Sequence, residues 1–223
     1  MQIEQDRGEL IYVGDPMCSW CWGIAPELES LQERRPDLGF RVVVGGLRPG
    51  PNAEEMTEGM ARYLGHHWRQ VTARSGQRFD HSILERRGWS YDTEPACKAV
   101  VVMRRLAPDL AWPLFKRLQQ AFYAEGIVIS DPETIPALVG EFDVDVDAFM
   151  ESFGSTEAAR ATWSDFATAR SWGISGFPTV IVRVGEHAHV VARGYAPVDE
   201  LETALARFVG DSPSHSCPPG QMC

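Results

Sequence analysis

The sequence predicts an α/β fold in the order strand, helix, strand, then an all-helical insertion, then strand, strand, helix. Two observations predict it. Convincing strand patterns occur only near the two ends of the chain, and the stretch between them has helical periodicity. We therefore expect one discontinuous domain made of residues 1–50 and 173–210, a helical insertion at residues 51–172, and a flexible C-terminal tail with two cysteines at residues 211–223.

The opening fifty residues contain the first half of the predicted sheet. ELIYVG at residues 9–14 is a short apolar run that ends in Gly-Asp-Pro, which predicts a buried strand and a turn. Ile24, Leu28 and Leu31 then recur at spacings of four and three, which predicts a helix. FRVVVG at residues 40–45 predicts a second strand, and the helical crossover implies that the two strands are parallel.

The middle of the chain shows helical patterns with recognisable starts. One candidate helix begins near Thr93 and Pro95, another at Asp131 with Pro132 in its first turn, and a third at Ser155. We find no convincing strand there, so we expect the insertion to be entirely helical.

The second half of the sheet follows the insertion. Residues 180–184 and 188–192 are separated by a Gly-Glu turn and predict an antiparallel hairpin. A last helix is expected from Pro197 to about Phe208.

Composition limits the functional classes. The 223 residues are 44% hydrophobic and 23% charged, so the chain can bury a sizeable core, and a net charge of −10 opposes binding to nucleic acid. Apolar runs such as residues 99–103 are far shorter than the roughly 20 residues that cross a bilayer. Residues 1–10 lack the apolar segment of a secretory signal. We expect a cytoplasmic protein without membrane or nucleic-acid partners.

The motif Cys18-Ser19-Trp20-Cys21 is the strongest chemical signal. Five cysteines in a chain expected in a reducing compartment argue against a disulfide framework and favour redox or metal chemistry. Cys18 falls at the predicted start of a helix, where unpaired backbone N–H groups favour the thiolate. Cys21 follows one helical turn later, close enough to attack a mixed disulfide at Cys18. We predict that Cys18 is the nucleophile and Cys21 the resolving thiol.

These residues in this setting resemble the thioredoxin superfamily, and within it the DsbA-like proteins. The resemblance rests on CSWC after a strand, on Pro26 eight residues beyond the first thiol, and on Gly-Phe-Pro-Thr at residues 176–179. DPMCSWCWG and residues 91–100 are also similar to cytoplasmic predicted disulfide isomerases of the FrnE type. The resemblance implies a thioredoxin-like domain with a helical insertion, and a thiol–disulfide oxidoreductase or isomerase that acts through a mixed disulfide.

The resemblance also implies a substrate-binding loop. Pro178 is expected to follow a cis peptide bond and to face the thiols, and the backbone of Phe177 is expected to pair with an extended client peptide. Trp20 is expected at the surface, where its indole offers apolar contact to the client, whereas Trp22 packs inward.

One departure from the superfamily concerns a buried acid six residues before the first thiol, because this chain has Tyr12 there. Asp15 lies nearer the thiols, but we interpret it as a turn residue before Pro16. Cys97 is interpreted as a small buried hydrophobe.

Cys217 and Cys223 are a candidate auxiliary redox pair. FrnE-type proteins carry a second C-terminal cysteine pair that exchanges with the first, and this tail resembles it; two incidental thiols are the alternative. We interpret the six histidines, which show no spacing typical of metal ligands, as surface or loop residues: His66, His67, His81, His187, His189 and His215.

Three other functions stay open. Kappa-class glutathione transferases and chromene-carboxylate isomerases resemble this frame but carry a serine where Cys18 stands. Some cytosolic DsbA-like proteins resemble adaptors that deliver regulators to a protease. A zinc site formed by Cys18, Cys21, Cys217 and Cys223 is disfavoured by the five-residue gap in the tail pair. We expect no metal and no cofactor besides the redox-active disulfide, with glutathione or another external thiol as the reductant. The direction of the reaction, the client and the oligomeric state are not encoded in these motifs.

Overall fold

The structure is a computed structural model that describes residues 8–210. Its strands and α-helices are, in chain order, β1 (Glu9–Gly14), α1 (Ser19–Arg34), β2 (Gly39–Val44), β3 (Glu54–Glu55), α2 (Glu58–Ser75), β4 (Ser90–Tyr91), α3 (Glu94–Leu106), α4 (Ala111–Tyr123), α5 (Ile135–Val139), α6 (Val146–Phe153), α7 (Thr156–Ser171), β5 (Thr179–Val184), β6 (His187–Arg193) and α8 (Val198–Leu205).

Four strands form the main sheet in the order β2-β1-β5-β6. β1 is parallel to β2, with Tyr12 opposite Val42, and antiparallel to β5, with Tyr12 opposite Val180. β5 and β6 form an antiparallel hairpin. The predicted order, with a parallel pair first and a hairpin after the insertion, is confirmed.

β1 is a central strand that is covered on both faces. Leu10 and Tyr12 point into a large core cluster that includes buried residues of α1, whereas Ile11 and Val13 point into a smaller cluster with Ala169 of α7. Because alternate residues of a strand face opposite sides, burial of both sides explains why β1 is continuously apolar.

Helix α1 begins directly after the first thiol. Cys18 is its N-cap residue and has an extended backbone, with φ −91° and ψ 117°. Ile24, Leu28 and Leu31 are buried, as their spacing predicts, and Pro26 lies inside the helix.

Two of the three helix starts predicted in the insertion are confirmed, and the insertion also contains α2, α4 and α6, for which no start was predicted. α3 begins after Thr93 and α7 after Ser155, whose side chain accepts a hydrogen bond from the backbone N–H of Ala158. β3 and β4, however, form a small antiparallel sheet in which Glu54 lies opposite Tyr91. The expectation of an entirely helical insertion is wrong here, because strands of two residues are too short to show alternation.

The region after Asp131 also differs from the expected single helix. A 3₁₀ turn at residues 132–134 precedes the short helix α5. The Asp131 carboxylate accepts a hydrogen bond from the backbone N–H of Glu133, so it starts a turn.

The two halves of the sheet and the insertion share one core. The large cluster includes Cys18 and Cys21 together with Trp68 of α2 and Phe122 of α4. Within residues 8–210, no helix is both long and apolar enough to cross a bilayer.

Candidate active site

The two thiols of the CSWC motif lie at the N-terminus of α1. Cys18 is 6% exposed, Cys21 is fully buried, and both are free thiols. The backbone N–H of Cys18 donates a hydrogen bond to the carbonyl oxygen of Asp15 at 3.0 Å, which holds the turn before the helix. Cys18 is therefore the thiol of this pair that a substrate can reach.

Cys21 is held in its protonated form. Burial raises the pKa of the Cys21 thiol well above its ordinary value, and the hydrogen bond and charge of Cys18 raise it further. The Tyr12 hydroxyl and the backbone N–H of Asp15 act in the opposite direction and lower that pKa. Attack by Cys18 before Cys21 is the order that this arrangement favours.

The Gly-Phe-Pro-Thr loop lies against Cys18. The Phe177–Pro178 peptide bond is cis, as the resemblance implies. The Cys18 thiol donates a hydrogen bond to the carbonyl oxygen of Phe177 at 3.6 Å. The Phe177 ring packs so closely on Gly45 that a Cβ atom at position 45 would overlap it. The lack of a side chain at Gly45 thus allows this loop to approach the end of β2.

Two cavities open on either side of Trp20. One, of about 600 Å³, is bordered by Cys18 and Phe177, and the other, of about 320 Å³, is bordered by Tyr195 and Arg74. Trp20 and Phe177 border both cavities, so their side chains form a ridge beside the reachable thiol.

The two tryptophans of the motif have different surroundings. Trp20 is partly exposed, and its ring lies 5.9 Å from that of His67 and 6.3 Å from that of Tyr195. Trp22 is also partly exposed, so it does not pack wholly inward as expected. Its ring stacks on that of Tyr123, and its Nε1 donates a hydrogen bond to the carbonyl oxygen of Arg78 at 3.0 Å. Trp20 is thus the one that a client bound at Cys18 would meet.

Several residues that border the larger cavity were not among the sequence candidates, and Arg48, His67 and Tyr91 are three of them. The guanidinium group of Arg48 lies over the ring of Tyr91 and donates a hydrogen bond to Glu54. His67 is half-buried on α2, and burial together with the charge of His66 lowers its pKa. The sequence predicts His67 only as a surface or loop histidine, because no local pattern relates it to a motif some fifty residues earlier. Tyr91 is the first residue of the stretch YDTEPACKAV, and the similarity of that stretch to FrnE-type proteins was the one sequence signal that could have pointed to Tyr91.

Asp15 is more than a turn residue. It is fully buried, and its carboxylate accepts hydrogen bonds from the backbone N–H groups of Met17 at 2.8 Å and Leu47 at 2.7 Å. Cys97, also fully buried, donates from its thiol to the same carboxylate at 3.4 Å. Burial raises the pKa of Asp15 and these hydrogen bonds lower it, while burial and Asp15 raise the pKa of Cys97. Asp15 therefore ties the loop that contains Cys18 to the loop after β2 and to α3.

Cys217 and Cys223 lie outside the described residues, so the auxiliary pair stays a prediction. Among residues 8–210, no three His, Cys, Asp or Glu side chains are grouped so that they could hold a metal ion.

Comparison with protein families gives one match that covers most of the chain. The family model described as a DSBA-like thioredoxin domain matches residues 9–206.

Solved structures show the same fold. A proposed protein disulfide isomerase from Nitrosomonas europaea is 31% identical, with a TM-score of 0.83, and the match covers 91% of this chain and 97% of that one. The cytosolic disulfide reductase DsbM from Pseudomonas aeruginosa is 23% identical, with a TM-score of 0.75 and coverage of 89% and 98%.

Curated relatives carry a different description. The ClpXP adapter protein SpxH of Shouchella clausii is 24% identical over 209 residues, which is 92% of this chain and 68% of that protein. SpxH of Bacillus subtilis is 21% identical, over 96% of this chain and 72% of that protein.

Proposed function

Since this chain belongs to the DSBA-like thioredoxin domain family, we propose that it is a thiol–disulfide oxidoreductase acting through Cys18 and Cys21. The observation that carries the proposal is the position of Cys18: it is the reachable thiol at a helix N-terminus, it contacts the carbonyl oxygen of Phe177, and a fully buried second thiol lies behind it. We further propose that it works in the cytoplasm.

The proposed reaction has two exchange steps. The Cys18 thiolate attacks a client disulfide, a bond forms between Cys18 and one client sulfur, and the other client sulfur leaves as a thiolate that takes up a proton. Cys21 then loses its proton and attacks the Cys18 sulfur, which releases the second client thiol and leaves a Cys18–Cys21 disulfide. The client gains two electrons, and the pair loses them.

An external thiol would return the pair to its reduced form. A structure of DsbM, which shares the fold at a TM-score of 0.74, was determined with glutathione. We propose glutathione or a similar small thiol as the reductant, with no further cofactor.

The client is proposed to bind along the ridge formed by Trp20 and Phe177. The indole of Trp20 offers apolar contact, and the backbone of Phe177 lies next to Cys18, where a mixed disulfide would form. A polypeptide with an accessible disulfide fits this surface better than a folded domain whose disulfide is buried.

Reduction of insulin disulfides by glutathione tests the proposal. Cys18→Ser should reduce turnover to the uncatalysed rate, and Cys21→Ser should accumulate a mixed disulfide that is visible by mass spectrometry. Cys97→Ala also removes a thiol but lies outside the pair, so it should keep most of the activity. Full turnover by Cys18→Ser would refute the assignment.

A second candidate function is that of an adaptor, favoured by the description of the SpxH relatives as ClpXP adapter proteins. An adaptor needs the client-binding surface but not the thiols. Two results together would favour this function. The native protein would not reduce insulin, and a Cys18→Ser, Cys21→Ser double variant would bind the client as tightly as the native protein does.

A glutathione-dependent transferase or isomerase is the third candidate. A 2-hydroxychromene-2-carboxylate isomerase has the same fold, with a TM-score of 0.62 and 16% identity. Such enzymes resemble this frame but carry a serine where Cys18 stands, so glutathione conjugation by the native protein would be needed to support this function.

A further inference from the structure

The smaller of the two cavities beside Trp20 has an arginine on its wall that no carboxylate of the described chain neutralises. Arg74 is exposed in the last turn of α2, and its guanidinium carbon lies 5.3 Å from the centre of the Tyr195 ring. Among residues 8–210, no carboxylate lies within ion-pairing distance of Arg74. A guanidinium group presents five N–H donors in a planar fork, so this one can accept an incoming carboxylate.

The carboxylate that contacts Tyr195 is already used by other donors. The Tyr195 hydroxyl donates to one oxygen of Glu27 at 3.0 Å, and the backbone N–H of Val198 donates to the other at 2.8 Å. These bonds hold Glu27 at the start of α8 and fix the Tyr195 ring beneath the guanidinium group of Arg74. The cation and the ring that supports it are therefore in place before any ligand binds.

The larger cavity, at Cys18, differs in this respect. Its arginine, Arg48, donates a hydrogen bond to Glu54 at 2.7 Å. A client carboxylate on that side would have to displace Glu54, whereas on the Arg74 side it would displace only solvent. The two sides of the ridge formed by Trp20 and Phe177 are thus electrostatically unequal.

Helix α2 adds to the positive charge of this region. Beyond Glu58 it contains three arginines and two histidines and no acid: Arg62, His66, His67, Arg69 and Arg74. The whole chain has a net charge of −10, so α2 is a local reversal of its overall charge. A cleft whose wall carries one sign of charge attracts ligands of the other sign.

We propose that the cavity bordered by Arg74 and Tyr195 binds an Asp or Glu side chain that lies near the client cysteine attacked by Cys18. The proposal rests on the thiol–disulfide activity proposed above and names its class of client, which is a polypeptide with acidic residues beside its disulfide. Trp20 and Phe177 border both cavities, so an extended chain that crosses the ridge at Cys18 enters the second cavity. Because such a chain advances about 3.3 Å per residue, the acidic side chain should lie about two to four residues from the client cysteine.

The test measures mixed-disulfide formation with a series of peptides. Symmetrical disulfides of an otherwise uncharged, end-capped peptide with one central cysteine carry Glu, Gln or Lys at one flanking position at a time. The full chain carries Cys21→Ser, Cys217→Ser and Cys223→Ser, so that its remaining thiols are Cys18 and the fully buried Cys97. The Cys18 sulfur forms a bond to one peptide sulfur, and the other peptide leaves as a thiolate that takes up a proton. Quenched-flow mass spectrometry gives the rate, and no glutathione is present.

We expect a preference for acid on one side of the peptide cysteine. At the position that reaches Arg74, the Glu peptide should react about fivefold faster than the Gln peptide at low ionic strength, and the Lys peptide should react more slowly than both. The preference should shrink in 0.5 M KCl, because the site is open to solvent. Arg74→Gln should bring the ratio of the Glu rate to the Gln rate to about one, and Arg74→Glu should make the Lys peptide the fastest.

A matched control is Arg69→Gln. Arg69 is an exposed arginine on the same helix that borders neither cavity, so this variant removes the same charge from the same helix. It should keep the ratio of the Glu rate to the Gln rate within twofold of the native value. Any effect of Glu on the reactivity of the peptide's own cysteine is the same for every variant, so the change in this ratio isolates Arg74.

A binding measurement keeps failure of the site distinct from failure of the proposed function. Fluorescence anisotropy with the same peptides carrying Ser in place of Cys needs no thiol, and the Glu peptide should again bind about fivefold more tightly than the Gln peptide. If Cys18 forms no adduct with any peptide, the proposed function fails, and anisotropy alone decides whether the cavity binds acid. The carboxylate site is overturned if Glu gives no advantage in binding, if the advantage survives Arg74→Gln, or if Arg69→Gln removes it equally.

Discussion

At the scale of single residues, the site buries three ionisable groups close to one reachable thiol. Asp15, Cys21 and Cys97 are all fully buried, and burial raises the pKa of each. Asp15 is the best satisfied of them, because two backbone N–H groups and the Cys97 thiol donate to its carboxylate. These hydrogen bonds reduce the cost of burying the carboxylate but do not remove it.

The raised pKa of Asp15 predicts a pH dependence of folding stability. The folded protein holds the Asp15 proton more tightly than the unfolded chain, in which the carboxyl group has its ordinary pKa of 3.8. As pH rises above that value, the unfolded chain loses this proton first, so the contribution of Asp15 to stability falls until pH passes the raised pKa. Asn at this position does not titrate. Relative to Asp15→Asn, the native protein should lose stability as pH rises from about 4 through the raised pKa, and the difference should then level off.

Urea unfolding of both proteins at a series of pH values measures this difference. Asp199→Asn is the control, because the Asp199 side chain is 83% exposed and its ion pair with Arg34 lies at the surface, where such pairs contribute little. A difference between native protein and Asp15→Asn that is constant over the whole range would contradict the prediction.

At the scale of elements, the free edge of β2 is closed by side chains instead of a further strand. The backbone N–H of Val44 donates to the Asp165 carboxylate at 3.1 Å, and the carbonyl oxygen of Val42 accepts from Arg104 at 2.7 Å. Arg104 and Asp165 also pair with each other through two hydrogen bonds of 2.8 and 3.0 Å. An ion pair from α3 and α7 thus occupies positions where the backbone of a neighbouring strand would otherwise pair.

Loss of Asp165 should therefore cost more than loss of an ordinary ion pair. Asp165→Ala leaves the Val44 N–H and the Arg104 guanidinium group without this acceptor in a partly buried site, and we expect the free energy of unfolding to fall by about 2–3 kcal/mol. Glu157→Ala is the matched control on the same helix, since Glu157 pairs with Arg105 at 2.5 Å in a well-exposed position and should cost less than about 1 kcal/mol. Equal losses in denaturant unfolding would contradict the special role of this edge.

The elements also show what a sequence can and cannot reveal. β1, α1 and the starts of α3 and α7 were predictable, because apolar runs, helical spacing and capping residues are local signals. β3 and β4 were not, since two-residue strands exist only through pairing across the insertion. The residues of the candidate site also fall into a predictable group and an unpredictable one. Cys18 and the Phe177–Pro178 loop were named from motifs, whereas Arg48 and His67 join the cavity through tertiary packing that no local pattern encodes.

At the scale of the whole molecule, the sequence suggests a discontinuous domain and an insertion, but the two share one hydrophobic core. Trp68 and Phe122 from the insertion belong to the same buried cluster as Tyr12 and Cys21. A domain that folds independently has a core of its own. We therefore predict that the described part of the chain unfolds as one cooperative unit.

Phe122→Ala tests this prediction from inside the insertion. Phe122 is fully buried, and its ring makes edge contacts with those of Trp68, Tyr91 and Tyr123, so its removal should lower the free energy of unfolding by about 3–5 kcal/mol. If the core is one unit, amide hydrogen exchange of the most protected residues of β1 should accelerate as much as that of α2, because both exchange through the same global opening. Leu106→Ala, on α3, is the control, since Leu106 is 50% exposed and its loss should change exchange little in either element. Faster exchange in α2 with unchanged protection in β1 would mean that the insertion opens by itself. The sheet that supports the site at Cys18 would then be stable without the insertion.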